Sequence, residues 1–386
     1  MEFRTLEALP KTGEIMRDPR TGLCEALIPP GPYATAHAPC LLELPDGSML
    51  CAWFAGSFEG SADVSIVCSR LPRGQARWTG PSPISSDPDR SEQNPSLFNG
   101  PGGAVWAVYT AQKARQEGKD NMQFTSQVRV QESHDGGLTW GPYRTLFPKE
   151  GTFCRQPIQV LSNGRWIMGN WICTDSADGL SGDPSVFKIS DDQGVSWREV
   201  EMPQSRGRVH ANVVELGGGE LAAFMRSREA DFIYVSRSRD FGDTWSAPEP
   251  TVLPNNNSGI SAIRLDDGRI AIACNPTCAS RPVKGRAAWP GLRCPVVVAF
   301  SEDGGRSFPL MRIVEPGEGF IGEENRTNNA QYEYPYLMQS RDGTLHLAFA
   351  YHNRECVKYM RFSKEQIAGS KREKEGRYNP TSAKVS

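Results

Sequence analysis

Short apolar or alternating segments separated by tight turns make up most of the chain. Residues 40–44 and 48–53, for example, flank the turn at residues 45–47, which reads Pro-Asp-Gly. Such a pair of segments around a short turn containing Gly is typical of a β-hairpin. Six turns of this kind recur, at residues 45–47, 99–100, 162–164, 217–219, 266–268 and 341–343. Long apolar stretches with helical periodicity are rare, so the pattern predicts an all-β protein with six hairpins.

A second series of turns carries the motif S-x-D-x-G-x-[ST]-[WF]. The motif occurs at residues 133–140, 190–197, 238–245 and 301–308, so consecutive copies begin 57, 48 and 63 residues apart. These spacings fit propeller blades of four strands, which take about 40–50 residues each before loops are inserted. The Asp is expected to accept backbone N–H groups within the turn, and the aromatic residue to pack between sheets. The motif therefore predicts a structural turn, and its Asp residues are not candidates for catalysis.

The two series of turns alternate along the chain and define the order of elements in a blade. Each blade is expected to contain a strand, a tight turn, a strand, a longer loop, a strand, an S-x-D-x-G turn and a final strand. Because successive strands are antiparallel, both kinds of turn must lie on one face, which we call the turn face. The longer loops and the crossings between blades must lie on the opposite face, the loop face, where we expect the functional site.

The four S-x-D-x-G motifs resemble those of the sialidase superfamily, in the branch of Asp-box (BNR-repeat) proteins, and the resemblance runs from about residue 34 to 364. It implies a six-bladed β-propeller with four-stranded antiparallel blades. We expect residues 34–367 to form the propeller and residues 1–33 to be an extension that contributes to its closure. Residues 368–386 are rich in Lys, Arg, Glu and Ser, and we expect them to be a disordered tail.

Composition limits the classes of partner. The 43 basic and 45 acidic residues are interspersed, which argues against nucleic acid and membrane surfaces as partners. The ten Cys are scattered without a CxxC pair, so we expect no metal and no other cofactor. The chain starts without the profile of a secretion signal, which favours a cytoplasmic protein and leaves a trimmed, secreted form open. We expect a monomer.

Polar residues concentrate where the blades begin on the loop face. Alignment of the blades on their hairpin turns places six positions near the starts of the innermost strands: His37, Gln93 or Asn94, Arg155, His210, Asn257 or Ser258, and Tyr334. Arg226 and Arg228 lie at the end of the second strand of their blade, so we expect them on the same rim of the loop face. Guanidinium groups bind carboxylates in bidentate geometry, and aromatic faces suit sugar rings. The set predicts a site for an acidic, polyhydroxylated ligand.

The resemblance assigns roles to some of these residues. Sialidases share three Arg that bind the substrate carboxylate, a Tyr nucleophile activated by a Glu, and an Asp acid on a loop of the first blade. By this likeness Tyr334 is the nucleophile, and Arg226 and Arg293 are the second and third Arg. Asp63 or Glu59 lies in the loop where the acid is expected.

Two parts of the pattern are different here. The first Arg belongs to an Arg-Ile-Pro motif, and the matching stretch of this chain reads His37-Ala38-Pro39. No clear counterpart of the activating Glu is present, and Glu333 is the candidate. A His near neutral pH can take or give a proton, which an Arg cannot. The substrate is therefore not necessarily sialic acid.

Three classes of function remain open. The first is an exo-acting glycoside hydrolase for a terminal sugar that bears a carboxylate, with a pair such as Asp63 and Glu333 at the glycosidic bond. A variant of the enzyme class is a uronate lyase that works by β-elimination, with His37 or Tyr334 as acid or base. The second class is a catalytically silent sugar-binding propeller. The third is a protein-interaction scaffold, which the polar rim disfavours.

Overall fold

The computed structural model describes residues 9–19, 21–116, 122–175, 179–290, 293–316 and 331–368. These residues form six antiparallel sheets, which confirms the predicted six-bladed β-propeller. Two N-terminal strands precede the first blade: β1 (Met16–Arg17) and β2 (Cys24–Ile28). Most of the expected tail, residues 368–386, lies outside the described residues, as do residues 1–8 of the expected extension.

In blades one to five the strands follow one another along the chain, from the axis outwards. Blade one contains β3 (Thr35–Glu43), β4 (Met49–Gly56), β5 (Ser65–Leu71) and β6 (Ser82–Pro83). Blade two contains β7 (Arg90–Asn99), β8 (Val105–Lys113), β9 (Gln127–Ser133) and β10 (Arg144–Phe147). Blade three contains β11 (Thr152–Cys154), β12 (Gln159–Val160), β13 (Trp166–Ile172), β14 (Ser185–Ser190) and β15 (Arg198–Glu201). In blade three the innermost position is shared by β11 and β12, which both pair with β13.

Blade four contains β16 (Arg208–Gly217), β17 (Glu220–Ser227), β18 (Phe232–Ser238) and β19 (Glu249–Pro254). Blade five contains β20 (Ser261–Arg264), β21 (Ile270–Cys274), β22 (Val296–Ser301) and β23 (Leu310–Glu315). Blade six contains β24 (Glu333–Gln339), β25 (Leu345–Tyr351) and β26 (Cys356–Phe362). Its outer positions are filled by β2, which pairs antiparallel with β26, and by β1. The N-terminal segment therefore joins the two ends of the propeller.

Helices are few and short. The described residues include 3₁₀-helices at Pro101–Gly103, Gln123–Thr125 and Gly179–Gly182, and an α-helix at Lys364–Ala368. None of the helices found in the described ranges has the length and apolar character needed to cross a bilayer.

The Asp-box turns are held by hydrogen bonds within the motif. In the first box Asp135 Oδ1 accepts the backbone N–H groups of Leu138 (3.0 Å) and Thr139 (2.9 Å). Ser133 Oγ accepts the N–H of Gly137 (2.8 Å), which has a φ of 86°. A Cβ on Gly137 would lie 2.8 Å from Leu50 Cδ1 of blade one, so a glycine allows the two sheets to approach. These bonds fit the structural role predicted for the motif.

Arginines also bridge neighbouring blades at three of these turns. In each case the guanidinium of one blade donates to a carbonyl between the box Asp and the box Gly of the next blade. The pairs are Arg70 with Gly136 (2.5 Å), Arg165 with Phe241 (3.1 Å) and Arg237 with Gly304 (3.0 Å). The turn face is thus connected from blade to blade by side chains as well as by packing. The opposite, loop face is free to carry function.

Candidate functional site

The innermost strands begin on the loop face with a backbone irregularity. In β3, β7, β16 and β24 the pairing with the second strand shifts by a residue, and a residue at the shift has a positive φ. These residues are Ala38 (51°), Asn94 (51°), His210 (61°) and Tyr334 (52°), and Asn257 (58°) occupies a similar place before β20. A bulge re-aims the side chains beside it, and left-handed residues other than Gly concentrate at functional sites. Four of these five residues are polar, so the irregularities place polar side chains at the starts of the innermost strands.

The bulges change the alignment that was expected from the hairpin turns. His37 pairs with Phe54 and precedes the bulge residue Ala38. It therefore corresponds to Glu333 in blade six, and His210 corresponds to Tyr334. The expected alignment was therefore one residue out at His37: Ala38, His210 and Tyr334 each lie nine residues before a turn glycine (Gly47, Gly219 and Gly343), and a shift of one residue exchanges the two faces of a strand.

Tyr334 lies at the centre of the site. Arg226 Nη1 donates to its hydroxyl oxygen at 2.5 Å. The ring of His37 lies 4.3 Å from the Tyr334 ring, and that of His210 lies 5.4 Å away. His210 is in turn stacked on Trp171 at 4.4 Å. The phenol is thus surrounded by two imidazoles and a guanidinium, and its side chain is partly exposed.

Arg226 is buried, and its hydrogen-bond partners among the described residues are neutral. Its side chain is 1% exposed. Nε donates to Asn257 Oδ1 at 2.9 Å, and Nη2 donates to the same oxygen. Asn257 is fixed by a bond from Nδ2 to the carbonyl of Ala288 in the long loop of blade five (2.8 Å). Burial lowers the pKa of Arg226 to about 10, which indicates a poorly compensated cation.

Glu333 is the buried anion of the site. Its Oε1 lies 3.1 Å from Arg293 Nη1, and its Oε2 lies 3.0 Å from Arg354 Nε. The same Oε2 lies 3.2 Å from His37 Nδ1, although the angle is unfavourable for a hydrogen bond. Arg354 also donates to Glu59 at 2.7 Å. Burial opposes the ionisation of Glu59, but the Arg354 charge prevails and lowers the pKa of that carboxyl.

Arg354 is the residue of this cluster that the sequence did not predict. It follows β25 as the last of three consecutive residues with positive φ, after His352 and Asn353. Its carbonyl accepts the N–H of Ala36 at 2.7 Å, which ties blade six to blade one. The polar residues after Tyr351 were a possible signal in the sequence, because they follow the second strand of blade six at the point where it ends on the loop face.

Both central histidines are held neutral. The pKa of His37 lies well below its ordinary value because of burial first and then the charges of Arg354 and Arg293. Burial, followed by the charge of Arg226, has the same effect on the pKa of His210. Neutral imidazoles can accept a proton or a hydrogen bond, but such depressed pKa values make them weak bases.

The remaining predicted residues lie around this cluster. Arg155 is buried and donates to the carbonyls of Pro39 and Tyr334. Arg228 is paired with the buried carboxylate of Asp183 at 3.3 Å. Asn94 is buried within its bulge, where its carbonyl contacts Cys154 Sγ (3.7 Å).

Asp63 is exposed, and within the described ranges it forms no hydrogen bond or ion pair with the cluster. Its carboxylate oxygens accept the N–H of Ser57 (2.9 Å) and the Ser57 hydroxyl (2.8 Å). These bonds close the loop between β4 and β5. The same loop carries Glu59, whose bond to Arg354 fixes it to the site.

Several buried polar atoms near these groups have no hydrogen-bond partner within the described ranges. They are His37 Nε2, Arg155 Nε and Nη1, His210 Nδ1, Gln112 Oε1 and Asn170 Oδ1. Buried polar groups without partners are uncommon in proteins, and their concentration here is typical of a site that is completed by a ligand or by water. A cavity of about 760 Å³ at the axis on the turn face is separate from the cluster, since residues such as Asn212, Ser261 and Tyr336 line it.

Comparison with known proteins gives a family and a set of structural neighbours. The model of the BNR repeat-like domain family matches residues 47–347. No curated protein sequence matches the chain. Among solved structures, the Hadza microbial sialidase Hz136 is 15% identical with a TM-score of 0.68, over 86% of this chain and 66% of that one.

Two further neighbours are covered almost completely. An intramolecular trans-sialidase from Ruminococcus gnavus is 16% identical with a TM-score of 0.66, over 87% of this chain and 96% of that chain. A protein of unknown function from Dyadobacter fermentans is 17% identical with a TM-score of 0.68, over 88% of this chain and 98% of that chain. At such identities the likeness shows the fold.

Proposed function

Because the chain belongs to the family of BNR repeat-like domain proteins, we propose that it is a sialidase-like, exo-acting glycoside hydrolase whose substrate ends in a sugar with a carboxylate. The observation that carries the proposal is the pair formed by Arg226 and Tyr334 at the axis. The guanidinium is buried, it has no carboxylate partner among the described residues, and it donates to the phenol oxygen at 2.5 Å.

Charge pairing supports a carboxylate ligand at Arg226. Arg293 and Arg354 are neutralised by Glu333 and Glu59, and Arg228 is neutralised by Asp183. A buried charge without a counter-ion costs several kcal/mol. A ligand carboxylate beside Arg226 would remove that cost and would form charge-assisted hydrogen bonds, which are the stronger kind. The unpartnered amide and imidazole atoms nearby suit the hydroxyl groups of a sugar.

Tyr334 is the proposed nucleophile. Its Oη, as the phenolate, forms a bond to the anomeric carbon while the glycosidic C–O bond breaks, and the protonated Asp63 gives its proton to the leaving oxygen. Water then attacks the same carbon, its proton returns to Asp63, and the phenolate leaves. The guanidinium of Arg226 stabilises the negative charge on the phenol oxygen before attack and after departure. The exposed position of Asp63 on the loop anchored by Glu59 suits an acid that meets the leaving group.

The β-elimination alternative is weaker for His37 as the base. Its depressed pKa makes the imidazole a poor acceptor for a carbon-bound proton. With Tyr334 as the base, β-elimination would use the same hydrogen bond from Arg226, so β-elimination and hydrolysis are distinguished by their products.

The test is a panel of sialosides, rhamnosyl-glucuronides and uronate oligosaccharides, assayed for released reducing ends and for the ultraviolet absorbance of unsaturated uronates. We expect new reducing ends without that absorbance, and loss of turnover in Tyr334→Phe. Absorbance with turnover would identify a lyase. Binding without turnover on every member, in wild type and in Tyr334→Phe alike, would refute the hydrolase and identify a sugar-binding propeller.

A further inference from the structure

Arg155 crosses the axis of the propeller. It follows β11 in blade three, and its Nη2 donates to the carbonyl of Pro39 in blade one at 2.8 Å. The same nitrogen lies 3.4 Å from the carbonyl of Tyr334 in blade six. The guanidinium carbon lies 5.8 Å from the Tyr334 ring and 5.7 Å from the Tyr336 ring. A single side chain therefore contacts the backbone of two blades other than its own.

Both carbonyls belong to the bulges that present the central side chains. Pro39 follows Ala38, the bulge residue next to His37, and Tyr334 is itself the bulge residue of blade six. A left-handed residue other than Gly is strained and persists only where its surroundings hold it. Charge-assisted hydrogen bonds from a buried guanidinium are strong enough to do so.

Arg155 lies on the inner side of the site. Its side chain is 1% exposed, and its neighbours Gln156 and Pro157 line the cavity on the turn face. Burial lowers the pKa of Arg155, and the compensating influences are the Cys40, Tyr336 and Tyr334 side chains rather than a carboxylate. Its position is between that cavity and the phenol of Tyr334.

We propose that Arg155 is a positioning residue, which sets the distance and orientation between His37 and Tyr334 by binding the backbone of both bulges. This inference rests on the site of the proposed function but not on its reaction. It differs from the role of substrate ligand that the sequence suggested for Arg155, and it leaves carboxylate recognition to Arg226.

The first test needs no substrate. The chain has five His, so the imidazole ¹H–¹⁵N correlations can be resolved and assigned by single substitutions. Arg155→Met keeps much of the side-chain volume and removes the hydrogen bonds. We expect the His37 signals to move in this variant, because the His37 ring lies 4.3 Å from the Tyr334 ring and senses its orientation. The exposed His134 should be unchanged.

Arg237→Met is the matched control. Arg237 also donates to a carbonyl of another blade, Gly304, but on the turn face. This variant should leave the His37 signals in place. Unchanged His37 signals in Arg155→Met would overturn the proposal, and so would equal shifts in both variants.

Kinetics on an active substrate give the second test. Misplacement of a reacting group by about 1 Å can cost about 100-fold in rate. We expect Arg155→Met to lower kcat by about 10- to 100-fold with KM nearly unchanged, and Arg155→Lys to recover part of the loss. A large rise in KM at constant kcat would make Arg155 a substrate ligand instead. If no substrate is found, the proposed function fails, while the spectra still decide the role of Arg155.

Discussion

At the scale of residues, the site is defined by which charges are paired and which are not. Glu333 and Glu59 are bound to Arg293 and Arg354, so this half of the cluster is close to neutral. Arg226 keeps a buried charge beside the hydroxyl of Tyr334. The chemistry of the site follows from this asymmetry, because an incoming anion is attracted to the Arg226 guanidinium, which has no carboxylate partner among the described residues, and brings its sugar ring against the phenol.

Asp63→Asn tests the proposed acid. The amide cannot donate a proton to the leaving oxygen, so turnover should fall most for substrates with poor leaving groups. We expect a loss of about 100- to 10,000-fold with an alkyl aglycone, the usual contribution of a general acid. Substrates with a nitrophenol aglycone should lose far less, since that group leaves without protonation. Equal losses for both substrates, measured as kcat/KM, would rule out this role.

Buried histidines predict a weakening of the fold in acid. Burial lowers the pKa of His346 to about 4, whereas an unfolded His titrates near 6.5. Above pH 6.5 both states are neutral and the group has no effect. Between about pH 6.5 and 4 the unfolded chain takes up a proton that the folded chain refuses, so stability falls by about 1.4 kcal/mol per pH unit.

When the pH is lowered from 7 to 5, the free energy of unfolding of His346→Gln should therefore fall by about 2 kcal/mol less than that of the wild type. The glutamine retains polar atoms for Tyr359 and Ser340, the hydrogen-bond partners of His346. Urea unfolding at the two pH values measures the difference. The same pH dependence in both proteins would show that His346 titrates normally in the folded state.

At the scale of elements, a buried ion cluster joins β26 of blade six to its neighbours β2 and β23. Lys358 on β26 lies 2.6 Å from Glu25 on β2 and 2.5 Å from Glu315 on β23. Burial alone would lower the pKa of Lys358, but the two carboxylates prevail and raise it. The cluster connects the N-terminal segment, the last blade and blade five. It therefore stabilises the blade in which the N-terminal strand β2 pairs with the last strand β26.

Lys358→Met leaves two buried carboxylates without a cation. We expect a loss of about 3–5 kcal/mol in the free energy of unfolding, the usual result of breaking a buried ion pair. Urea unfolding followed by tryptophan fluorescence measures it. Glu25→Gln is the milder variant and should remain folded with a smaller loss. Lys11→Met, which removes an exposed pair with Glu355, is the control and should have little effect. Equal stabilities of Lys358→Met and the control would contradict a stabilising role for the cluster.

At the scale of the whole molecule, the sequence predicted the propeller because its signals are local. An Asp box is complete within eight residues, and Asp135 and Gly137 form the bonds expected of them without help from distant parts. The same reasoning predicted that the loop face would carry the polar residues. Tyr334, Arg226 and His37 meet there.

The parts of the site that the sequence did not predict depend on contacts between blades. The sequence does not show the bulges at Ala38 and Tyr334, whose carbonyl partner across the axis is the distant side chain of Arg155. Arg354 becomes part of the site only because its loop folds back onto Glu333 and Glu59. The pair of Arg354 and Glu59 joins residues 295 positions apart in the chain.

The most direct test of the account is the preference for a carboxylate in wild type and in Arg226→Met. Hydrolysis is compared for a terminal sugar acid and for its carboxamide, which has the same shape without the charge. Wild type should favour the acid by about 100-fold in kcat/KM, equal to about 2.7 kcal/mol, and Arg226→Met should lose most of that preference. A preference that survives the substitution, or wild type that does not distinguish the two sugars, would contradict the account.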